Sequence, residues 1–343
     1  MTILIATEYL LNYDGLTAYH LTLLKYLARM PGVQVIFFCP TISRDILRRA
    51  LKNNVKYVFK WDQLRDARLD VAQASSSITA YEIRKYSTQV PLVFVSHGGF
   101  FWTDVPPLAD LNIGHVVSVS ERIRRQVLSL GCSQDRVSTI LNPIDGEQFY
   151  SRGKSADTIR RVVMLPSGLA DRGRIDVVKA ACRGLRLQLT VVPPGKRVPD
   201  PSRLMQGADL VIGRGRIIPE ALLCYKAACV FDYIGGDGLV TKDTYRDLVP
   251  SSFSGAVHHI CFDEEGLKRE IQKYRPQDAA ALAEYVKVDF SAEKIAEQYY
   301  QLYLAAIRNF SPQKLDTQKI NFICNVFHFG KYSGRRSEQI IRI

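Results

Sequence analysis

The sequence predicts an α/β protein built from two Rossmann-like domains, and three observations carry that reading. Short apolar, β-branched runs alternate with amphipathic stretches along most of the chain, the pattern of parallel sheets covered by helices on both faces. At 343 residues the chain exceeds a usual single core. A polar, Gly- and Ser-containing linker, YSRGKSADTIRR (150–161), interrupts the alternation, which then restarts. The expected domains are 1–152 and 153–310, facing a cleft, followed by a basic, irregular tail over 311–343.

The elements follow in order. TILIAT is the first strand, and Leu16, Tyr19, Leu23, Leu27 and Met30 share one face of the helix after it. VQVIFFCP, VKYVF, DVAQASS, PLVFVSHGG and HVVSVS supply further strands, with a helix near 43–51. Ser120 caps the helix ERIRRQVLSLG, which Gly131 stops, and VSTILNP runs into a turn. In the second half VVMLPSG, LQLTVVPPG, ADLVIG, ACVFDYI and HHICFD read as strands. Helices are expected near 175–182 and from Pro219. Ser291 caps a closing helix with Ile295, Tyr299, Leu302 and Ala306 on one face.

Composition narrows the class of partner. Hydrophobic residues make up 47% and charged residues 23%, as in an ordinary globular chain. A formal net charge of +12 favours nucleotides, nucleic acid or an acidic membrane without choosing among them. Nucleic acid is not expected, because no recognised module accompanies the charge. The seven cysteines are scattered, with no C-x-x-C pair, which suits a reducing cytoplasm. MTILIATEYLLNYDG reads as a strand rather than a signal peptide, and no run is apolar for long enough to cross a bilayer. The basic helix edge RIRRQV (122–127) is either a solvated face or a peripheral contact with the inner face of an acidic membrane.

The segment GRGRIIPEALLCYKAACVFDYIGGDG (213–238) carries the chemistry. A Gly/Arg loop leaves a strand and enters a helix, whose N-terminal N–H groups and dipole attract phosphate. Gly213 and Gly215 allow close approach, and Arg214 and Arg216 add charge. Glu220 suits ribose hydroxyls better than phosphate. Gly236, in a second Gly-rich loop, completes the set. Two other readings stay open. Pro219 and Glu220 are ordinary helix-opening residues. Gly213-x-Gly215 with Asp232 also imitates a dinucleotide fingerprint, although Ile218 stands at the third glycine.

Four segments together resemble nucleotide-sugar glycosyltransferases of the GT-B fold, closest to glycosyltransferase family 4. They are TEYLLNYDGLTAYHLTLLKYLAR, VVSVSERIRRQVLSLGCSQDRVSTILNPIDGEQF, ADLVIGRGRIIPEALLCYKAACVFDYIGGDG and FSAEKIAEQYYQLYLAAI. Glu220-Ala221 matches the second glutamate of the family's E-x7-E pair, but Ile212 stands eight residues before it. The loop SGLADRGR has Gly168 where the family often has Arg, leaving Arg172 and Arg174 to hold the diphosphate.

The resemblance implies a GT-B hexosyltransferase of the kind used in polysaccharide biosynthesis. It takes a UDP- or GDP-linked sugar as co-substrate, needs no other cofactor, and passes the sugar with retention to a glycan, lipid-linked or small-molecule acceptor. His97, in PLVFVSHGGFF, is implied at the donor sugar or reaction centre; its other reading is a loop histidine. Gly15 either lets the first helix approach the diphosphate or acceptor, or makes a plain turn. Without a D-x-D, the Arg172, Arg174 and Gly213–Arg216 groups point to a leaving diphosphate stabilised without metal. Asp263-Glu264-Glu265 opens a helix, Lys196 and Arg197 are solvated, and His20 is packing. An NAD(P)-dependent oxidoreductase and a GT-B-like protein without transfer activity are the rival readings.

Overall fold

The computed structural model describes residues 1–51, 54–98, 102–108, 111–149, 155–169, 172–196, 198 and 200–332. The chain divides into two compact units: Met1–Leu141 with the chain from Glu293 on, and Asn142–Ala292. Residues 150–154 of the expected linker, and Arg197, lie outside the described residues.

The first unit begins with β1 (Thr2–Ala6), β2 (Tyr9–Leu10), α1 (Gly15–Leu27), β3 (Gln34–Phe38), β4 (Thr41–Ile42) and α2 (Arg44–Ala50). It continues through β5 (Lys56–Val58), β6 (Val71–Ala74), α3 (Ser77–Tyr86) and β7 (Leu92–Ser96). β8 (His115–Ser118), α4 (Glu121–Ser129) and β9 (Val137–Thr139) follow. Its seven-stranded sheet has the order β5-β3-β1-β6-β7-β8-β9, and every pairing is parallel. β6 and β7 are buried at every position, so neither shows the alternation of a half-exposed strand. Ser120 caps α4 as expected, accepting from the Ile123 N–H at 3.3 Å.

The second unit holds α5 (Gly146–Phe149), β10 (Arg161–Met164), α6 (Arg172–Gly184), β11 (Gln188–Val191), α7 (Pro201–Gln206) and β12 (Leu210–Gly213). After α8 (Ile217–Leu223) come β13 (Ala227–Asp232), β14 (Gly235–Leu239), α9 (Lys242–Leu248), α10 (Glu264–Gln272) and α11 (Pro276–Asp289). The strand order is β11-β10-β12-β13-β14, with only the β13–β14 pair antiparallel. Val162, Met164, Leu210, Ile212, Cys229 and Phe231 pack with Val178 and Leu267 in its core. Asp263 caps α10, accepting from the Gly266 N–H at 2.7 Å.

Four expectations change. The second Gly-rich loop is a strand, β14, which turns back on β13 through Gly235 at φ +103°. HHICFD forms only a bridge between Ile260 and Gly236. The closing helix, α12 (Ala292–Arg308), does not stay with 153–310, because Tyr299 and Tyr303 bond Tyr19 and Gln73 of the first unit. The tail carries a helix, α13 (Thr317–Tyr332), which packs on α3 and buries Ile320 and Cys324.

Candidate functional site

In the second unit, the carboxyl ends of β10, β12 and β13 bring together the loops where open parallel sheets bind ligands. Asp232 closes β13 and is fully buried. Its Oδ2 accepts from the Ser167 N–H at 3.0 Å, tying the loop after β10 to the end of β13. The Phe253 carbonyl accepts from the Gly215 N–H at 2.7 Å, which sets Ser254 beside the same loops. The Arg214 guanidinium lies over the Tyr233 ring at 5.0 Å. Arg174, in the first turn of α6, reaches Cys261 Sγ at 3.1 Å and sits 5.7 Å from the Phe231 ring. Arg172, at the start of α6, is exposed.

Four side-chain atoms here are buried without a hydrogen-bond partner among the described residues: Ser167 Oγ, Arg214 Nη1, Asp232 Oδ1 and Ser254 Oγ. Each unpaired buried polar group costs about 1–3 kcal/mol, and more when charged. A cluster of them is a reason to look for a ligand.

The structure sorts the sequence-predicted residues. Gly215 needs its glycine for φ +65°. Gly213 needs its own because a Cβ would stand 2.9 Å from the Leu165 carbonyl oxygen, and Gly236 because a Cβ would overlap the Val230 carbonyl oxygen. Strand packing, rather than ligand approach, explains those two. Arg216 is spent within the unit: its Nε pairs with Glu220 Oε1 and its Nη1 donates to the Pro143 carbonyl at 2.6 Å. That leaves Arg214, not Arg216, as the cation of the Gly/Arg loop. Glu220 is only 3% exposed, and burial raises its pKa while Arg216 pulls it down. Lys196 is exposed. Ser167, Tyr233 and Ser254 were not singled out from the sequence; a serine or tyrosine in a polar loop carries no spacing signal.

In the first unit, the carboxyl edge of the seven-stranded sheet gathers Glu8, Ser75, Ser76, His97 and Ser118 from the ends of β1, β6, β7 and β8. The Ser76 hydroxyl donates to Glu8 Oε1 at 2.7 Å. Ser75 Oγ, Ser118 Oγ and His97 Nε2 are buried with no partner among the described residues. The His97 ring stands edge-on to Tyr19, with centroids 4.4 Å apart. Burial pushes its pKa down to about 3, so His97 is a neutral hydrogen-bonding group near pH 7, not an imidazolium. His20, fully buried beside it, is lowered well below 6.5 by the same cause and by His97. Gly15 opens α1 with nothing within 4 Å of a built Cβ, and Asp14 caps the helix, accepting from the Thr17 N–H at 2.9 Å. On the basic edge of α4, Arg124 pairs with Glu121 at 3.2 Å. A cavity of about 600 Å³ lined by Asn112, Cys132, Arg136 and Lys314 lies at the opposite, amino edge of this sheet, away from His97.

Residues 13–148 match the model of Glycosyltransferase Family 4. A glycosyltransferase from Rickettsia africae ESF-5 is similar in structure at TM-score 0.65 and 14% identity, covering 90% of this chain and 99% of its own. Over residues 13–148 the chain resembles glycosyltransferase family 4, and as a whole it has the GT-B fold of that solved structure. Anabaena HepE, solved with UDP-glucose, aligns at TM-score 0.62 and 14% identity, over 89% of this chain and all of its own. The GT-B fold also serves other chemistry. A UDP-GlcNAc 2-epimerase from Neisseria meningitidis, bound to UDP-GlcNAc, aligns at TM-score 0.57 and 11% identity, covering 89% of this chain and 100% of its own. No curated protein sequence matches the chain. None of the helices among the described residues is long and apolar enough to cross a membrane.

Proposed function

We propose that this GT-B-fold protein is a glycosyltransferase that moves a sugar from a nucleotide-diphospho-sugar to an acceptor hydroxyl, with retention and without a metal ion. The observation that carries the reading is the cluster at the carboxyl edge of β10, β12 and β13. There, unpaired buried polar atoms of Ser167, Arg214, Asp232 and Ser254 share the sheet edge with Arg174, which lies over Phe231 of β13, and α6 also carries the exposed Arg172 at its start. Polyhydroxylated and diphosphate groups satisfy such a set together, since hydroxyls donate to a carboxylate while phosphate oxygens accept from guanidinium. In the transfer, the bond from the anomeric carbon to the diphosphate oxygen breaks and the acceptor oxygen bonds that carbon. The acceptor proton ends on the departing diphosphate. Arg172, Arg174 and Arg214 stabilise the developing charge in a site screened from water. Retention rests on the family 4 likeness of residues 13–148.

The first unit is assigned the acceptor. His97, neutral at working pH, accepts from or orients its hydroxyl, and Glu8 with Ser76 offers further polar contacts. The surface of that unit favours a lipid-linked acceptor at an acidic membrane. Trp102 is 58% exposed and stacks on Phe327, and Phe322 is 68% exposed on the same helix as Lys319. Two observations weigh against the NAD(P) reading: Ile218 is buried at the third glycine position, and one oxygen of Asp232 is taken by the Ser167 amide.

Thermal unfolding with UDP, GDP and NAD present in turn separates the readings. Protection by UDP or GDP alone is expected, about 2.7 kcal/mol at a hundred times the Kd. Protection by NAD alone would overturn the proposal. A Glu220→Ala variant that binds the best nucleotide as well as the parent would remove Glu220 from the ribose.

A further inference from the structure

We propose that Asp232 is the sugar-selecting residue of the donor site: its free oxygen takes a hydroxyl of the transferred sugar, assisted by Ser167 and Ser254. The inference rests on the nucleotide-sugar reading above and adds the group that reads the sugar.

Asp232 is fully buried at the end of β13, and its two oxygens have different fates. Oδ2 is held by the Ser167 N–H at 3.0 Å, whereas Oδ1 has no partner among the described residues. A carboxylate oxygen can only accept, so the missing partner is a donor. The nearby hydroxyls of Ser167 and Ser254 are themselves unpaired and buried, and each can both donate and accept. One acceptor and two amphoteric hydroxyls in the same group of loops are the hydrogen-bonding complement of vicinal hydroxyl groups. A phosphate, which only accepts near neutral pH, fits Arg214 and Arg174 but not this oxygen.

The neighbouring strand cannot supply the carboxylate instead. Ile212 is buried in the core of the unit, and Gly213 has the Leu165 carbonyl 2.9 Å from where its Cβ would stand. In register, β12 ends with Gly213 opposite Val230, and β13 runs two residues further, to Asp232. The acid therefore comes from the next strand. Ser167, Arg214 and Tyr233 of the surrounding loops are all partly exposed, and the Arg214 guanidinium lies over the Tyr233 ring at 5.0 Å.

Asp232→Asn is the discriminating variant. Its amide oxygen can keep the Ser167 N–H, while its NH2 replaces an acceptor by a donor at the free position. Calorimetric titration of the whole chain with UDP and with UDP-glucose (GDP and GDP-mannose if the parent prefers guanine) gives the readout. The expected result is unchanged affinity for the bare nucleotide and a loss of roughly 10- to 100-fold for the nucleotide-sugar. Equal affinities for both ligands in variant and parent would overturn the assignment of Asp232 and leave the nucleotide-sugar reading standing. Parallel loss of both would also overturn it, by showing that Asp232 only holds the loop. A parent chain that binds no nucleotide and no nucleotide-sugar would overturn the nucleotide-sugar reading itself. Should Asp232→Asn fail to fold, Ser254→Ala carries the same test, with a smaller selective loss expected for the sugar-bearing ligand and equal binding overturning the proposal.

Discussion

Two buried polar regions of this protein, one in each unit, close their hydrogen bonds in opposite ways. In the first unit Tyr303 donates to Gln73 Oε1 at 2.6 Å, Gln73 Nε2 to the Tyr19 hydroxyl at 3.4 Å, and Tyr19 to Tyr299 at 2.9 Å. α12 is thereby tied to α1 and β6 by the chain's own groups, and burial raises the pKa of all three tyrosines, keeping them neutral. At the carboxyl edge of the second unit, Ser167, Arg214, Asp232 and Ser254 each leave an atom unmatched. A network that satisfies itself holds structure. One that leaves acceptors and donors unmatched at a sheet edge has bonds left for a ligand to complete, as the proposed donor site requires.

The sharpest way to break this contrast is to open the closed network. Tyr303→Ala removes a fully buried ring and leaves Gln73 without its donor, so a loss of about 3–5 kcal/mol is expected in urea unfolding. Tyr303→Phe, which keeps the ring, is expected to cost about 1–3 kcal/mol. A loss below about half a kcal/mol for both would show that the tyrosine chain does not hold α12 in place.

Acid attacks the same region through its histidines. His97 has a folded pKa of about 3 and His20 one well below 6.5, so the unfolded chain binds more protons between those values. The stability these neutral rings contribute is complete above about pH 6.5. For His97 it is lost as pH falls from there toward 3, at about 1.4 kcal/mol for each step of one in pH, and His20 adds a loss of the same sign. His20→Leu is expected to flatten this dependence, as read from unfolding midpoints at about pH 7, 5.5 and 4.5. An unchanged slope would mean that carboxylates, not the histidines, set the acid limit.

The smallest effects compare two glycines that the sequence presents alike. Gly236→Ala drives a methyl against the Val230 carbonyl and should cost about 1–3 kcal/mol. Gly15→Ala meets open space at the start of α1 and should leave stability within about half a kcal/mol. If Gly15 serves a ligand, the alanine variant instead loses sugar transfer at full stability. Equal behaviour of the two variants in a thermal melt would contradict the packing distances.

Much of the architecture was readable from residues alone. Buried parallel strands are continuous apolar runs, so TILIA, QVIFF, LVFVS and AACVFD announced themselves, and Ser120 and Asp263 stood where helix caps belong. β14 escaped because GGDG reads as a loop; only its pairing with β13 makes those glycines a strand. The segment 213–220 stood out by its Gly/Arg composition, but composition does not say which arginine is free. Glu220 and the Pro143 carbonyl claim Arg216, and only folding brings Pro143, 73 residues earlier, into reach.

The sequence by itself determined the local elements, the doubling of the α/β pattern and the Gly/Arg loop that enters a helix at 213–220, since each depends on neighbours within a few positions along the chain. The tertiary structure alone decided which polar groups are spent and which are left over. Whether a buried oxygen has a partner depends on groups 65 residues away, as Asp232 and Ser167 show, and no periodicity records that.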